Sequence, residues 1–116
     1  MSTKPLVIAH RGASRIVGED NTLLSFSRAV ELECDMIELD VRRTIDGNLV
    51  CFHDPSVQDM AVATMTHPGL VDRSGMDVPL LDEVAALCRG QIRLNIELKE
   101  LGYSRDVLAI LSEDYK

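Results

Sequence analysis

Basic charge is scarce in this chain: 12 lysines and arginines stand against 19 aspartates and glutamates, for a net charge of −7. Duplex nucleic acid is held by clustered Lys and Arg that neutralise its phosphates, so a nucleic-acid partner is not expected. Paired cysteines are also lacking. Cys34, Cys51 and Cys88 stand singly inside apolar segments, with neither the even count of a disulfide framework nor the close spacing of a zinc site. They read as core thiols of a reducing compartment. No stretch approaches the roughly 20 apolar residues of a membrane helix, and the residues ahead of His10 are too few for the apolar region of a signal peptide. A cytoplasmic protein without a transmembrane segment is expected. What is present is a 46% hydrophobic chain of 116 residues without low-complexity sequence, the composition of one soluble globular domain and no second.

Apolar runs and turn signals alternate along it. Leu6 to Ala9 predicts a buried strand that stops at His10-Arg11-Gly12. Asn21 is a candidate N-cap, followed by a helix whose apolar face carries Leu23, Leu24, Phe26 and Val30 and fades by Glu33. Met36 to Val41 predicts a second strand, and the Asp46-Gly47 turn leads into a third at Asn48 to Phe52. Ser56 to Val78 shows no sustained period and predicts a long loop with short helical pieces. Leu81, Val84, Ala85 and Cys88 fall at helical spacing, with Gly90 placed to end the helix. Ile92 to Leu98 predicts a fourth strand, and Ser104 caps a last helix through Leu111. Strands alternating with helices predict an α/β fold around a mostly parallel sheet.

Each predicted strand is apolar at its start and polar at its C-terminal end: His10-Arg11, Glu38 and Asp40, His53-Asp54, and Glu97 with Lys99. Parallel barrels place their active sites at that end. Residues two apart on a strand share a face, which pairs Glu38 with Asp40 and Glu97 with Lys99. Carboxylates brought close in a partly dry site repel unless a cation neutralises them. Three oxygen donors without cysteine favour a hard divalent ion, Mg²⁺ or Ca²⁺, although His10 and His53 leave room for a softer one. An imidazole exchanges its proton near neutral pH, so two histidines can serve as an acid and a base. Phosphodiester cleavage needs such a pair, together with cations that offset charge on the nonbridging oxygens.

The ordered set Ile8-Ala9-His10-Arg11-Gly12-Ala13, Asn21-Thr22-Leu23, Ile37-Glu38-Leu39-Asp40-Val41, Thr44-Ile45-Asp46-Gly47, Phe52-His53-Asp54 and Asn95-Ile96-Glu97-Leu98-Lys99 resembles the glycerophosphodiester phosphodiesterases. That resemblance implies a TIM-barrel-type (β/α)8 fold, with only about the first four strands in this chain, since a full barrel takes about 250 residues. Residues 1–116 would then be the N-terminal half of one such domain. The resemblance further implies His10 and His53 as general acid and base, Arg11 and Lys99 as phosphate ligands, and Glu38, Asp40 and Glu97 as ligands of one divalent metal. The implied reaction is hydrolysis of glycerophosphodiesters to glycerol 3-phosphate and an alcohol, by attack of a glycerol hydroxyl on phosphorus and opening of the cyclic phosphate by water. One departure lies at Gly18-Glu19-Asp20-Asn21-Thr22, where the family usually has Pro-Glu-Asn-Thr, so that either Glu19 or Asp20 supplies the acid of this loop.

Plainer roles stand beside these. The charged set could form a metal-free network of ion pairs, and Asp54 could cap a turn at Pro55. His67 lies outside every motif and reads as structural. Two other functions are compatible with the same residues: a phospholipase D-type activity on sphingomyelin or lysophospholipid, and an inactive or assembly-dependent barrel fragment. An open half-barrel leaves unpaired backbone, which predicts self-association or pairing with the other barrel half.

Overall fold

The alternation of Ile37, Leu39 and Val41 with Glu38, Asp40 and Arg42 organises the molecule, because the period of a strand sends the two sets to opposite faces. In the computed structural model, which describes residues 5–13 and 18–114, these residues form β2, Met36–Arg43, the central strand of the sheet. Residues 1–4 and 115–116, on which the signal-peptide and chain-end readings bear, lie outside the described residues.

β1, Ile8–His10, pairs parallel to β2 with Ala9 opposite Ile37. Following β2 in the chain are β3, Leu49–Cys51, and two short strands, β4 at Ser56–Val57 and β5 at Met60–Ala61. β6, Arg93–Leu98, pairs parallel to β2 along its length, with Asp40 opposite Glu97. β3 is the exception, running antiparallel with Val41 opposite Cys51. The sheet is therefore mostly parallel, but His53-Asp54 stands at the end of a hairpin return and not at the end of a parallel barrel strand. The Asp46-Gly47 turn makes the difference: Gly47 takes φ of 83°, and a turn this tight joins antiparallel neighbours.

Hydrogen bonding shows where β3 sits. Glu38 O accepts from Arg11 N and Asp40 O accepts from Phe52 N, whereas Val41 O accepts from Lys99 N. The carbonyls of Glu38 and Asp40 point to one edge of β2 and that of Val41 to the other. So β1 and β3 occupy the same edge in succession, and β6 the opposite one. The chain leaves β1 and arrives at β3 side by side, which brings Arg11 near Phe52 and His53.

Helices cover the apolar face. α1, Leu23–Glu31, buries Phe26 and Ala29 against Ile37 and Leu39, while Leu24 stays 60% exposed. Its N-cap is Thr22 and not Asn21: Thr22 Oγ1 accepts from Ser25 N at 3.1 Å and Ser25 Oγ from Thr22 N at 3.1 Å. A hydroxyl at this position satisfies otherwise orphaned helix donors. α2, His67–Ser74, starts at the Thr66 cap and ends at Gly75 in the left-handed region. α3, Leu81–Cys88, buries Leu81, Val84, Ala85 and Cys88. α4, Ser104–Asp114, starts with Ser104 as its first residue and buries Val107.

The segment from Ser56 to Val78 packs Val62, Met65, Leu70 and Val78 with Val50 of β3 into a second small core. Besides the expected helical pieces it contains the β4–β5 hairpin, whose turn places Gln58 and Asp59 at φ of 48° and 66°. No helix of the described residues is long and apolar enough to cross a membrane.

Candidate active site

Opposite the helices, β2 presents Glu38, Asp40 and Arg42 in a row. Glu38, Asp40 and, from β6, Glu97 offer carboxylate oxygens that all lie within 4.8 Å of one another. Register makes this so, because Glu97 is the direct neighbour of Asp40 in the parallel ladder. Asp40 is 1% exposed, whereas Glu97 faces solvent.

Cations surround the carboxylates. Lys99 Nζ lies 3.4 Å from Asp40 Oδ1 and 3.1 Å from Glu97 Oε1. Arg11 Nε lies 3.2 Å from Asp40 Oδ2, and Arg11 Nη1 3.1 Å from Asp20 Oδ2. His10 Nε2 is 3.3 Å from Glu38 Oε2. Of the two acids in the preceding loop, Asp20 meets the site through Arg11, while Glu19 is exposed.

Titration follows the surroundings. Burial, then the charge of Asp40, raises the Glu38 carboxyl above its usual range, partly offset by His10. Burial pushes Asp40 the same way, but the hydrogen bond from Asn21 and the charge of Lys99 more than reverse it, and its pKa is lowered. Lys99 is raised, first by its hydrogen bond to Glu97.

The network still leaves demand for positive charge. Glu38 Oε2 and Asp40 Oδ1 are buried with no hydrogen-bond donor in bonding geometry, although His10 and Lys99 stand within ion-pair range. Buried carboxylate oxygens without donors are costly. A hard divalent ion bound by oxygen would satisfy them, so the donor set fits such an ion.

His53 follows β3 and completes the rim. Its Nδ1 lies 2.8 Å from Asp54 Oδ1, and it lines a cleft of about 110 Å³ together with Arg11, Asp20, Asn21, Phe52 and Met76. His67 lies elsewhere, with Nε2 2.7 Å from Val78 O, a structural contact. All seven residues singled out in the sequence thus stand on the polar side of the sheet or on its rim.

Two residues of the site were not foreseen in their roles. Asn21 Nδ2 donates to Asp40 Oδ2 at 3.0 Å and Asn21 Oδ1 accepts from Asp40 N at 3.1 Å. Its place in Asn21-Thr22-Leu23 was a signal, but a helix cap explained it equally well. The other is Arg42, whose buried side chain nothing in the local sequence announces.

Residues 10–94 match the glycerophosphoryl diester phosphodiesterase family. The chain belongs to that family. It is 59% identical over 54 residues, 47% of this chain and 22% of the relative, to the glycerophosphodiester phosphodiesterase of Caldanaerobacter subterraneus subsp. tengcongensis. Its structure superposes on that of the Thermotoga maritima glycerophosphodiester phosphodiesterase with a TM-score of 0.85 at 28% identity, covering 97% of this chain and 52% of that one. The Oleispira antarctica phosphodiesterase, solved with the product sn-glycerol-3-phosphate, gives a TM-score of 0.76 at 26% identity, covering 97% and 53%. The α/β, TIM-barrel-type fold expected from the sequence is therefore the fold observed. The chain spans about half the length of these solved relatives.

Proposed function

We propose that this chain carries the catalytic face of a metal-dependent phosphoric diester hydrolase that cleaves glycerophosphodiesters to glycerol 3-phosphate and an alcohol. The observation that carries the reading is the convergence of the Glu38, Asp40 and Glu97 carboxylates within 4.8 Å of one another, with Glu38 Oε2 and Asp40 Oδ1 buried in ion-pair contact only, flanked by Arg11, Lys99 and His10. Family membership and the product held by the Oleispira antarctica relative support it.

Glu38, Asp40 and Glu97 would hold one Mg²⁺ or Ca²⁺, which when bound supplies positive charge to the nonbridging oxygens of the phosphodiester. With the carboxylates so neutralised, Arg11 and Lys99 are free to turn their donors to the phosphate, Arg11 with a planar fork suited to two oxygens. His10 and His53 divide the proton transfers: one accepts the proton of the attacking glycerol hydroxyl while the other protonates the leaving alkoxide. Asp54, 2.8 Å from Nδ1 of His53, orients that ring.

The test is release of glycerol 3-phosphate from glycerophosphocholine by the purified chain, with Mg²⁺ or Ca²⁺, with chelator, and with a His10→Ala control. Release that requires both metal and His10 is expected. A folded chain that binds metal yet releases nothing would refute activity of the chain by itself. In that case an assembly-dependent reading is favoured by the apolar residues at and beside β1, where Leu6, Val7 and Ile8 are 60%, 50% and 49% exposed. Light scattering then checks for association.

A further inference from the structure

Arg42 is the third residue in the row Glu38, Asp40, Arg42, yet its side chain is only 10% exposed and its donors turn to other partners. A buried guanidinium is retained only where its donors are used. Nε donates to His53 O at 3.0 Å and Nη2 to the same oxygen at 2.6 Å, while Nη1 donates to Glu100 Oε2. Glu100 directly follows Lys99, and its own N–H donates to Tyr103 Oη at 3.1 Å, whose hydroxyl in turn donates to Val41 O at 2.8 Å.

We propose that Arg42 is a positioning residue, whose guanidinium ties the His53 turn to the end of the strand carrying Glu97 and Lys99. The need for such a tie follows from topology. His53 lies beyond the end of a three-residue strand, on the opposite edge of β2 from β6, so no ladder hydrogen bond joins His53 to Lys99. Arg42 spans both edges from β2 itself. Its two bonds to one carbonyl fix the backbone from which the imidazole projects, and the ion pair with Glu100 fixes the guanidinium. This role rests on the reading of His53 as an acid or base.

The test uses the full chain with Arg42→Lys, Arg42→Met and Glu100→Gln. ¹⁵N relaxation of the His53 and Asp54 amides reads the turn directly and needs no turnover. Order parameters near about 0.85 are expected in the wild type and below about 0.6 in Arg42→Met. Arg42→Lys should fall between, because one ammonium lacks the fork that serves two partners. Should Arg42→Met fail to fold, Glu100→Gln decides by the same readout, since Glu100 is 36% exposed and tolerates the change. In turnover of glycerophosphocholine, the Arg42 variants should lower kcat by about 10- to 100-fold, the cost of displacing a catalytic group by about 1 Å, with KM within about twofold of the wild type. Unchanged order parameters at His53 and Asp54 in a folded Arg42 variant would overturn the proposal. So would a raised KM at unchanged kcat, which would make Arg42 a substrate ligand. A wild type that shows no turnover, but whose His53 turn loosens in the variants, supports the tie and refutes activity of the chain by itself instead.

Discussion

Asn21 and Asp40 hold each other at two points: the amide of Asn21 donates to the Asp40 carboxylate at 3.0 Å, and its oxygen accepts the Asp40 backbone N–H at 3.1 Å. This clamp joins the loop after β1 to the central strand and keeps a fully buried carboxylate ionised. Asn21 adopts φ of 55° to make it, a conformation that Asn tolerates better than most residues. Removing the amide leaves the Asp40 carboxylate a donor short and the Asp40 N–H without its acceptor, which together cost at least about 1–3 kcal/mol. Asn21→Gly keeps the backbone conformation at no steric cost and isolates that loss. Urea denaturation should show the Gly variant less stable by this amount, and a midpoint equal to the wild type's would refute the clamp.

Glu38 should make the ion-free protein less stable as pH rises. Its pKa is raised above the ordinary 4.5 in the folded chain, so the folded state binds this proton more tightly than the unfolded one. Its contribution to stability therefore declines from about pH 4.5 upward until the folded value is passed. Asp40 acts oppositely: its lowered pKa gives stability that is present above 3.8 and lost as pH falls through the folded value. Glu38→Gln is predicted to raise the ion-free Tm at pH 7 and to flatten its decline above pH 4.5. The same variant should lose the rise in Tm that Mg²⁺ or Ca²⁺ gives the wild type, about 2.7 kcal/mol of stabilisation at 100 times Kd. A wild-type Tm indifferent to both ions would sink the metal site.

Gly12 is required twice over. Its φ is 84°, and a Cβ there would stand 2.5 Å from Ser25 Oγ and 2.8 Å from the Ser25 carbonyl carbon. Ser25 is itself pinned by the Thr22 cap, so it has nowhere to go. Gly12→Ala is expected to cost at least about 1–3 kcal/mol by overpacking alone, with the strain of a positive φ in addition. Thermal denaturation measures it; a Tm within a degree of the wild type's would contradict this packing.

Tyr103 is 1% exposed, and its hydroxyl links Val41 O to the N–H of Glu100. Tyr103→Phe keeps the ring against the core and over it the Arg43 guanidinium, 5.4 Å from the centroid. Only the hydroxyl is lost: Val41 O keeps its bond from Lys99 N, but the Glu100 N–H loses its acceptor, for about 1–2 kcal/mol. Because Glu100 is held from both Tyr103 and Arg42, a double-mutant cycle of Tyr103→Phe with Glu100→Gln should be non-additive. Strict additivity would show that the two contacts are independent.

Periodicity and turn chemistry by themselves determined the α/β class, the four principal strands, the helices at Leu81 and Ser104, and which carboxylates share a strand face. These are local properties: a period of two fixes sidedness along β2 whatever surrounds it, and the polar strand ends mark one rim of the sheet. The tertiary structure decided what depends on partners distant in sequence. Asn21 gave up the cap position to Thr22 because the buried Asp40 needed a donor, and a local pattern carries no record of that need. The segment at Asn48 to Phe52 read as one more strand, but its direction came from the tight turn and from the edge of β2 left open beyond β1. Arg42 lay hidden for the same reason. Between Val41 and Arg43 it reads as a surface cation, and only the meeting of three strand ends supplies the His53 carbonyl and the Glu100 carboxylate that justify burying its charge.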